Sequence, residues 1–241
     1  MIQERNGICY KVNQEAPFTG AIVEFYDDGQ RELSVQYKNG KRDGLCISYF
    51  ENGQIKVKEQ YKNGTKEGEL IIYYKNGQIK EKGQLKDDML DGNYRLYHEN
   101  GQIKVKGQYK GGKEDGEWVA YDEDGQIDSK GQFKDGKEDG EYTVYYEEGQ
   151  IKAKGQYKDG KEEGNYIEYD EKGNLRIKGQ YKEGKEEGDF ITYYRNGQIK
   201  GKEQWKDGGP DGEWLRYYEN GKIRLIEQYK DGKHYKILYQ N

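Results

Sequence analysis

The sequence predicts an all-β fold, an elongated repeat array of antiparallel β-hairpins joined edge to edge in a single long twisted sheet. Three observations predict it. Gly29, Gly53, Gly77, Gly101, Gly125, Gly149, Gly173, Gly197 and Gly221 recur every 24 residues, and a second series from Gly20 to Gly212 keeps the same step. Each step places Asn-Gly, Asp-Gly or a relative between runs rich in Tyr and Ile, the strongest short-range hairpin signal. Leu, Ile, Val and Phe together are well under a fifth of the residues, so no large central core can form, yet 25 Tyr fall at fixed spacing. A Tyr ring supplies apolar area while its hydroxyl stays wet, which suits a thin sheet. Net charge is only -5 despite 36% charged residues, so self-repulsion does not force the chain into disorder.

The elements follow in order. Residues 1–19, including the strand-like "GICYKV", read as an N-terminal cap, residues 20–233 as nine repeats and residues 234–241 as a C-terminal cap, one array without linkers. In one unit, "GEWLRYY" (212–218) and "KIRLIEQYK" (222–230) flank "ENG", and "DGKEDG" or a relative leads to the next unit. "IKVKGQYK" (103–110) alternates with period two, as a strand does. At about 4.8 Å per strand, close to twenty strands would extend roughly 90 Å. Asp88 fills a turn Gly position, where Asp tolerates positive φ better than most residues, at some strain.

A two-residue Asn-Gly turn fixes the pairing by counting outward: Tyr218 faces Ile223, Arg216 faces Leu225 and Trp214 faces Glu227. The Glu227 position is Gly107, Gly131, Gly155 or Gly179 elsewhere, opposite Tyr94, Trp118, Tyr142 and Tyr166, and an aromatic across a strand Gly covers exposed backbone. The other face carries Phe25, Tyr49, Tyr73, Tyr97, Tyr121, Tyr145, Tyr169, Tyr193 and Tyr217, with Lys56, Lys80, Lys104, Lys152 and Lys200 expected over those rings. The unvarying Gln column from Gln36 to Gln228 reads as a ladder of stacked amides, a scaffold feature.

Chemistry is scarce. Cys9 and Cys46 form no disulfide framework or zinc motif, and Cys46 stands where other units place a hydrophobe, so it reads as a small buried apolar residue. His98 and His234 are far apart in the array, and the Gly residues form turns instead of phosphate cradles. Glu138/Asp139 and Glu162/Glu163 recur in loops as a solvated acidic edge. No catalytic residue, metal site or cofactor is expected, and the chain reads as a non-enzyme. Acidic loops and a pI near 5.4 argue against nucleic acid. No apolar run approaches the roughly 18 residues of a membrane span. The compartment is open: cytoplasmic as written, exported if a removed signal preceded Met1.

Variation among units separates scaffold from decoration. The most uneven predicted pairs are Glu24/Leu33, Ser48/Val57, Ile72/Glu81, Leu96/Val105, Ala120/Ser129, Val144/Ala153, Glu168/Ile177, Thr192/Gly201 and Arg216/Leu225. Beside them runs Tyr26, Phe50, Tyr74, His98, Asp122, Tyr146, Asp170, Tyr194 and Tyr218. Tyr and apolar residues among isolated charges compose a protein-recognition stripe, from which Tyr74, Leu96, His98, Val105, Val144, Tyr146, Ile177, Tyr194, Arg216 and Tyr218 are the candidate partner contacts. Drift at tolerant, half-exposed positions would leave the same unevenness.

The unit "YYENGQIK-x-KG-x-YK-DGK-x-DG-x-W" resembles the bacterial variant of the MORN repeat, and "APFTGAIVEFYDDGQ" (16–30) is similar to the opening of such proteins. Proteins similar to this are commonly assigned as antitoxins or immunity proteins of the YwqK-like type. The resemblance implies a non-enzymatic protein that neutralises a bacterial toxin by direct binding. An exported structural or surface-interaction protein, such as an adhesin or scaffold, is the alternative. Binding of anionic lipid at a membrane surface, which the eukaryotic relatives imply, is the third reading. Neither the partner's identity nor the oligomeric state is set by the sequence.

Overall fold

A computed structural model describes residues 2–240. Those residues contain no helix; 23 strands belong to an antiparallel sheet, and Ile2–Arg5 pairs with Ile8–Lys11 as a separate hairpin. The described residues divide into two compact units, one of residues 2–115 and 121–125, the other of residues 116–120 and 126–240. The first holds the hairpins from Gly20–Phe25 and Arg31–Lys38 through Gly92–Tyr97 and Ile103–Lys110. The second holds those from Ile127–Lys134 and Lys137–Tyr145 through Gly212–Tyr217, Ile223–Lys230 and the terminal strand Lys233–Gln240. The all-β hairpin array is therefore present. In the first unit the N-terminal segment joins the turn at Asn39 and Gly40: Cys9 N donates to Gly40 O, and Gly40 N donates to Phe18 O.

The register agrees with the counting where it matters most and departs from it at the turn. Arg216 faces Leu225 and Trp214 faces Glu227, but Tyr217 faces Ile223. Tyr218, expected opposite Ile223, instead donates its N–H to Lys222 O and accepts from Gly221 N. Glu219, Asn220 and Gly221 make a three-residue loop in which Gly221 alone has positive φ, at 78°. A bulge between Arg216 and Tyr217 then takes up the extra residue, so the two irregularities cancel and the sheet faces are not exchanged.

Glu148-Gly149 and Lys172-Gly173 close the same loop, so Asn is not required for it, but where Asn is present its side chain supports the turn. Asn220 Oδ1 accepts from Lys222 N, as Asn52 Oδ1 does from Gln54 N and Asn76 Oδ1 from Gln78 N. Such a local bond suits a non-left-handed Asn. The expected two-residue turn with two positive φ values is built at the other link: Asn39 and Gly40 have φ of 51° and 76°, Asp231 and Gly232 of 49° and 78°. Asp88 takes the Gly position of such a turn with φ 66°, and its carboxylate accepts from Lys66 N at 2.7 Å.

The bulge also redirects the Lys residues. The fixed Tyr column faces Ile, as in Tyr49/Ile55, Tyr73/Ile79 and Tyr193/Ile199. Lys56, Lys80 and Lys152 therefore lie over Phe50, Tyr74 and Tyr146, 5.7–5.9 Å from the ring centres, and not over the fixed column. The Gln column differs from a stacked ladder as well. The second Gly series forms bulges of positive φ, 108° at Gly44, and Gln36 reaches across to accept from Leu45 N. Gln204 serves Glu213 N in the same way, while Gln108 and Gln180 donate to Asn93 and Asn165. An amide one strand away from a kinked backbone finds that backbone before it finds another Gln.

Burial is thin and shared between the faces. In the first unit Val35, Cys46, Tyr61, Leu70 and Leu85 are buried on one face and Ile71 on the other; in the second unit Val119, Ala153 and Phe190 are buried. Cys46 packs with Val35 and Tyr61 as a small apolar residue. No charged or polar residue is fully buried among the described residues. The acidic edge has structural work: Asp43 accepts from Asn63 N, Glu163 from Glu183 N and Glu187 from Asp207 N, so each carboxylate caps the turn of the following repeat.

Candidate protein-binding surface

The uneven pairs do form a continuous row within each unit. In the first unit Glu24/Leu33 continues through Ser48/Val57, Ile72/Glu81 and Leu96/Val105, because Leu33 pairs with Ser48, Val57 with Ile72 and Glu81 with Leu96. In the second, Ser129 leads to Val144/Ala153, Glu168/Ile177, Thr192/Gly201 and Arg216/Leu225 by the same alternation. Leu96, Val105, Val144 and Ile177 are half-buried on this row. Arg216 is held in place: its guanidinium is 2.6 Å from Glu203 Oε1 and lies 5.2 Å over the Trp214 ring.

The column beside the row does a job that its composition concealed. Tyr26, Tyr74, Tyr146 and Tyr194 donate their hydroxyls to the carbonyls of Tyr49, Tyr97, Tyr169 and Tyr217, each 23 residues on, at 2.7–2.9 Å. His98 Nε2 makes the equivalent contact to Tyr121 O at 3.0 Å. These side chains staple one hairpin to the next, with Lys80 and Lys152 lying over the Tyr74 and Tyr146 rings; Tyr218 is exposed in the last repeat. The only cue in the sequence is that Tyr and His share the position, both being long enough to carry a hydrogen-bonding atom across to the next strand.

Sequence reading also missed an aromatic row on the face of the uneven pairs. In the second unit Tyr166, Tyr181, Phe190, Trp205, Trp214, Tyr229 and His234 follow one another with ring centres 4.5–6.3 Å apart. The Gly positions lie under such rings: a Cβ on Gly155 would strike Tyr142, and one on Gly179 would strike Phe190, although Gly179 is also in register with Tyr166.

Burial pushes Tyr109 and Tyr181 up to about 12, with Glu114 and Glu162 as the next causes. Tyr94, Tyr142 and Tyr166 are raised for the same first reason. An unfolded phenol ionises near ~10. Folded-state pKa values lie above that, so their contribution to stability is complete below about pH 10 and is lost as pH rises through about 12. Alkaline unfolding should therefore begin above about pH 10, with phenolate absorbance appearing together with loss of the sheet signal in circular dichroism. Phenolate formation complete before any structural change would contradict this coupling.

Among the described residues no group of three His, Cys, Asp or Glu side chains is placed to hold a metal ion. Lys82 Nζ is 2.7 Å from Glu69, and Glu residues recur along the same column at Glu117, Glu141 and Glu213, so the Lys residues beside them do not make a uniformly cationic face.

These features define a class: a β-hairpin repeat protein whose units are tied by staples of fixed length and differ along one surface row. The model of the MORN repeat variant matches residues 42–63, 66–87, 90–110, 114–135, 138–159, 162–183, 186–207 and 210–231, and the chain belongs to that family. The hairpin of Gly20–Phe25 and Arg31–Lys38, before the first matched copy, has the same register and the same bulge as the others. No curated protein matches the chain. Solved structures similar to it include those titled "Crystal Structure of TcdB2-TccC3" and "Crystal Structure of TcdB2-TccC3-TEV". Identity to the first is 10%, with a TM-score of 0.21 and 90% of this chain covered; for the second the values are 12%, 0.20 and 88%. This chain spans only 14% and 13% of the length of those chains.

Proposed function

We propose that this chain is a non-enzymatic binding protein of the antitoxin or immunity type, which grips a protein partner through its row of uneven cross-strand pairs. One observation supports this reading above others. The positions that differ most between units, scattered 24 residues apart in sequence, adjoin strand by strand, while the turn Gly and the Gln columns do not vary. MORN repeats suggest a repeat-based binding protein and are generally non-catalytic. The staples, caps and bulges keep the row ordered before a partner arrives, so little entropy is lost on binding.

The test is charge introduction on the row. Val105→Glu and Val144→Glu, made separately, should each reduce capture of the cognate toxin at least about tenfold, since burying an unpaired carboxylate in an interface costs more than about 1.4 kcal/mol. Circular dichroism should stay unchanged, because both positions are half-buried and open to solvent on one side. Capture at parental strength by both variants would remove the row from the interface.

A further inference from the structure

The Tyr staples are interrupted at Asp170. Tyr146 and Tyr194, one repeat to either side, each send a hydroxyl to the next hairpin. Asp170 turns back on its own hairpin, where its carboxylate accepts from Lys172 N at 3.0 Å, Asn174 N at 2.9 Å and Asn174 Nδ2 at 3.1–3.2 Å. The space that a ring fills in the neighbouring repeats is left as a groove of about 490 Å³, walled by Tyr146, Tyr193 and Tyr194.

The rim of this groove departs from the repeat pattern in charge. Lys172 stands where most units have Asn or an acid, and Arg195 stands where most have Glu. With Arg176 and Lys200 they give four cations against Asp170, Glu171 and Glu219. Arg176 is engaged with Glu168 at 3.2 Å, which leaves Lys172, Arg195 and Lys200 to face an incoming group. By contrast, at Asp122, the other unit with Asp at this position, the places of Lys172, Arg176 and Arg195 are taken by Asp124, Asp128 and Glu147, and only Lys152 repeats a cation of the rim, Lys200.

We infer that the groove at Asp170 is a docking socket for a tyrosine side chain borne on an acidic segment of a partner protein. The incoming phenol takes the place that Tyr146 and Tyr194 occupy in their own repeats, with its hydroxyl directed at the backbone of the next hairpin. Flanking carboxylates meet Lys172, Arg195 and Lys200. This rests on the protein-binding reading above and specifies the chemistry of the partner.

The probe is the peptide acetyl-Asp-Glu-Tyr-Glu-Asp-amide, titrated into the isotope-labelled full chain and followed by amide chemical shifts. Saturable shifts should appear at residues 170–176 and 194–200, disappear when the peptide Tyr is Ala, and weaken when the flanking acids are Lys. Asp170→Tyr fills the groove with the chain's own ring and should abolish the shifts without lowering the melting temperature. Arg195→Glu restores the common residue and should weaken binding by up to about fivefold. Shifts absent from these hairpins, or retained in Asp170→Tyr, overturn the inference; should that variant misfold, the Ala peptide and Arg195→Glu decide it. Val144→Glu separates the two readings. If it abolishes capture of the whole partner while the peptide fails to bind, the socket falls and the row stands; if capture survives and the peptide binds, the row falls and the socket stands.

Discussion

Replacing Phe190 with Ala is expected to destabilise its surroundings by about 3–5 kcal/mol, the cost of emptying a buried aromatic site. Phe190 is 9% exposed, its ring centre lies 5.5 Å from Tyr181 and 6.3 Å from Trp205, and it covers Gly179, which has no side chain to collapse into the space. In a repeat array the loss is felt first by the neighbouring units, and a single melting curve can miss it. Hydrogen exchange should show faster opening of Leu175–Lys182 and Ile199–Lys206, the strands on either side. Phe25→Ala, at a site 57% exposed, should cost under about 1 kcal/mol. Equal effects of the two would mean that the aromatic row contributes nothing beyond a surface ring.

Gly44→Val is expected to cost about 3 kcal/mol, from a backbone conformation hostile to a branched side chain together with a lost hydrogen bond. At φ 108° an added Cβ would strike Gln36 Oε1, the atom that accepts from Leu45 N. Two controls divide the effect. Gln36→Ala removes only the bond and should cost about 1 kcal/mol. Gly188→Val meets a φ of 73° with the nearest atom, Gln180 Oε1, 3.9 Å away, and so reports backbone strain with little clash. Urea titrations of the three should rank Gly44→Val first; a Gly44→Val protein as stable as Gln36→Ala would show that the bulge does not need Gly.

The legible part of the fold was its periodicity. Repeated Gly and alternating strands gave hairpins whose pairings, Arg216 with Leu225 and Tyr94 with Gly107 among them, follow from counting. Turn type was not legible, because one dipeptide does two things: Asn39-Gly40 has positive φ at both residues, whereas at Asn52-Gly53 only the Gly does. What separates them is the pairing on either side: Lys38 pairs directly with Lys41 across Asn39-Gly40, whereas Phe50 closes on Gln54 across a three-residue loop. Asn52 Nδ2 donates to Lys75 O of the next hairpin, a partner that a local window cannot supply. The candidate surface was legible to the same depth. Its row could be drawn from the register, but the hydroxyl bonds of Tyr74, Tyr146 and Tyr194 end on backbone carbonyls, and every residue has one.

The staples, turn caps and Asn bonds all join residues 20–23 positions apart. A chain tied only over such short spans has little loop entropy to overcome, the condition under which folding is fast. Each hairpin can find its place as soon as the following one has left the ribosome, without waiting for the far end of the chain. Loss or gain of one whole 24-residue block would preserve every tie on either side, so the number of blocks can change by recombination without a redesign of the rest.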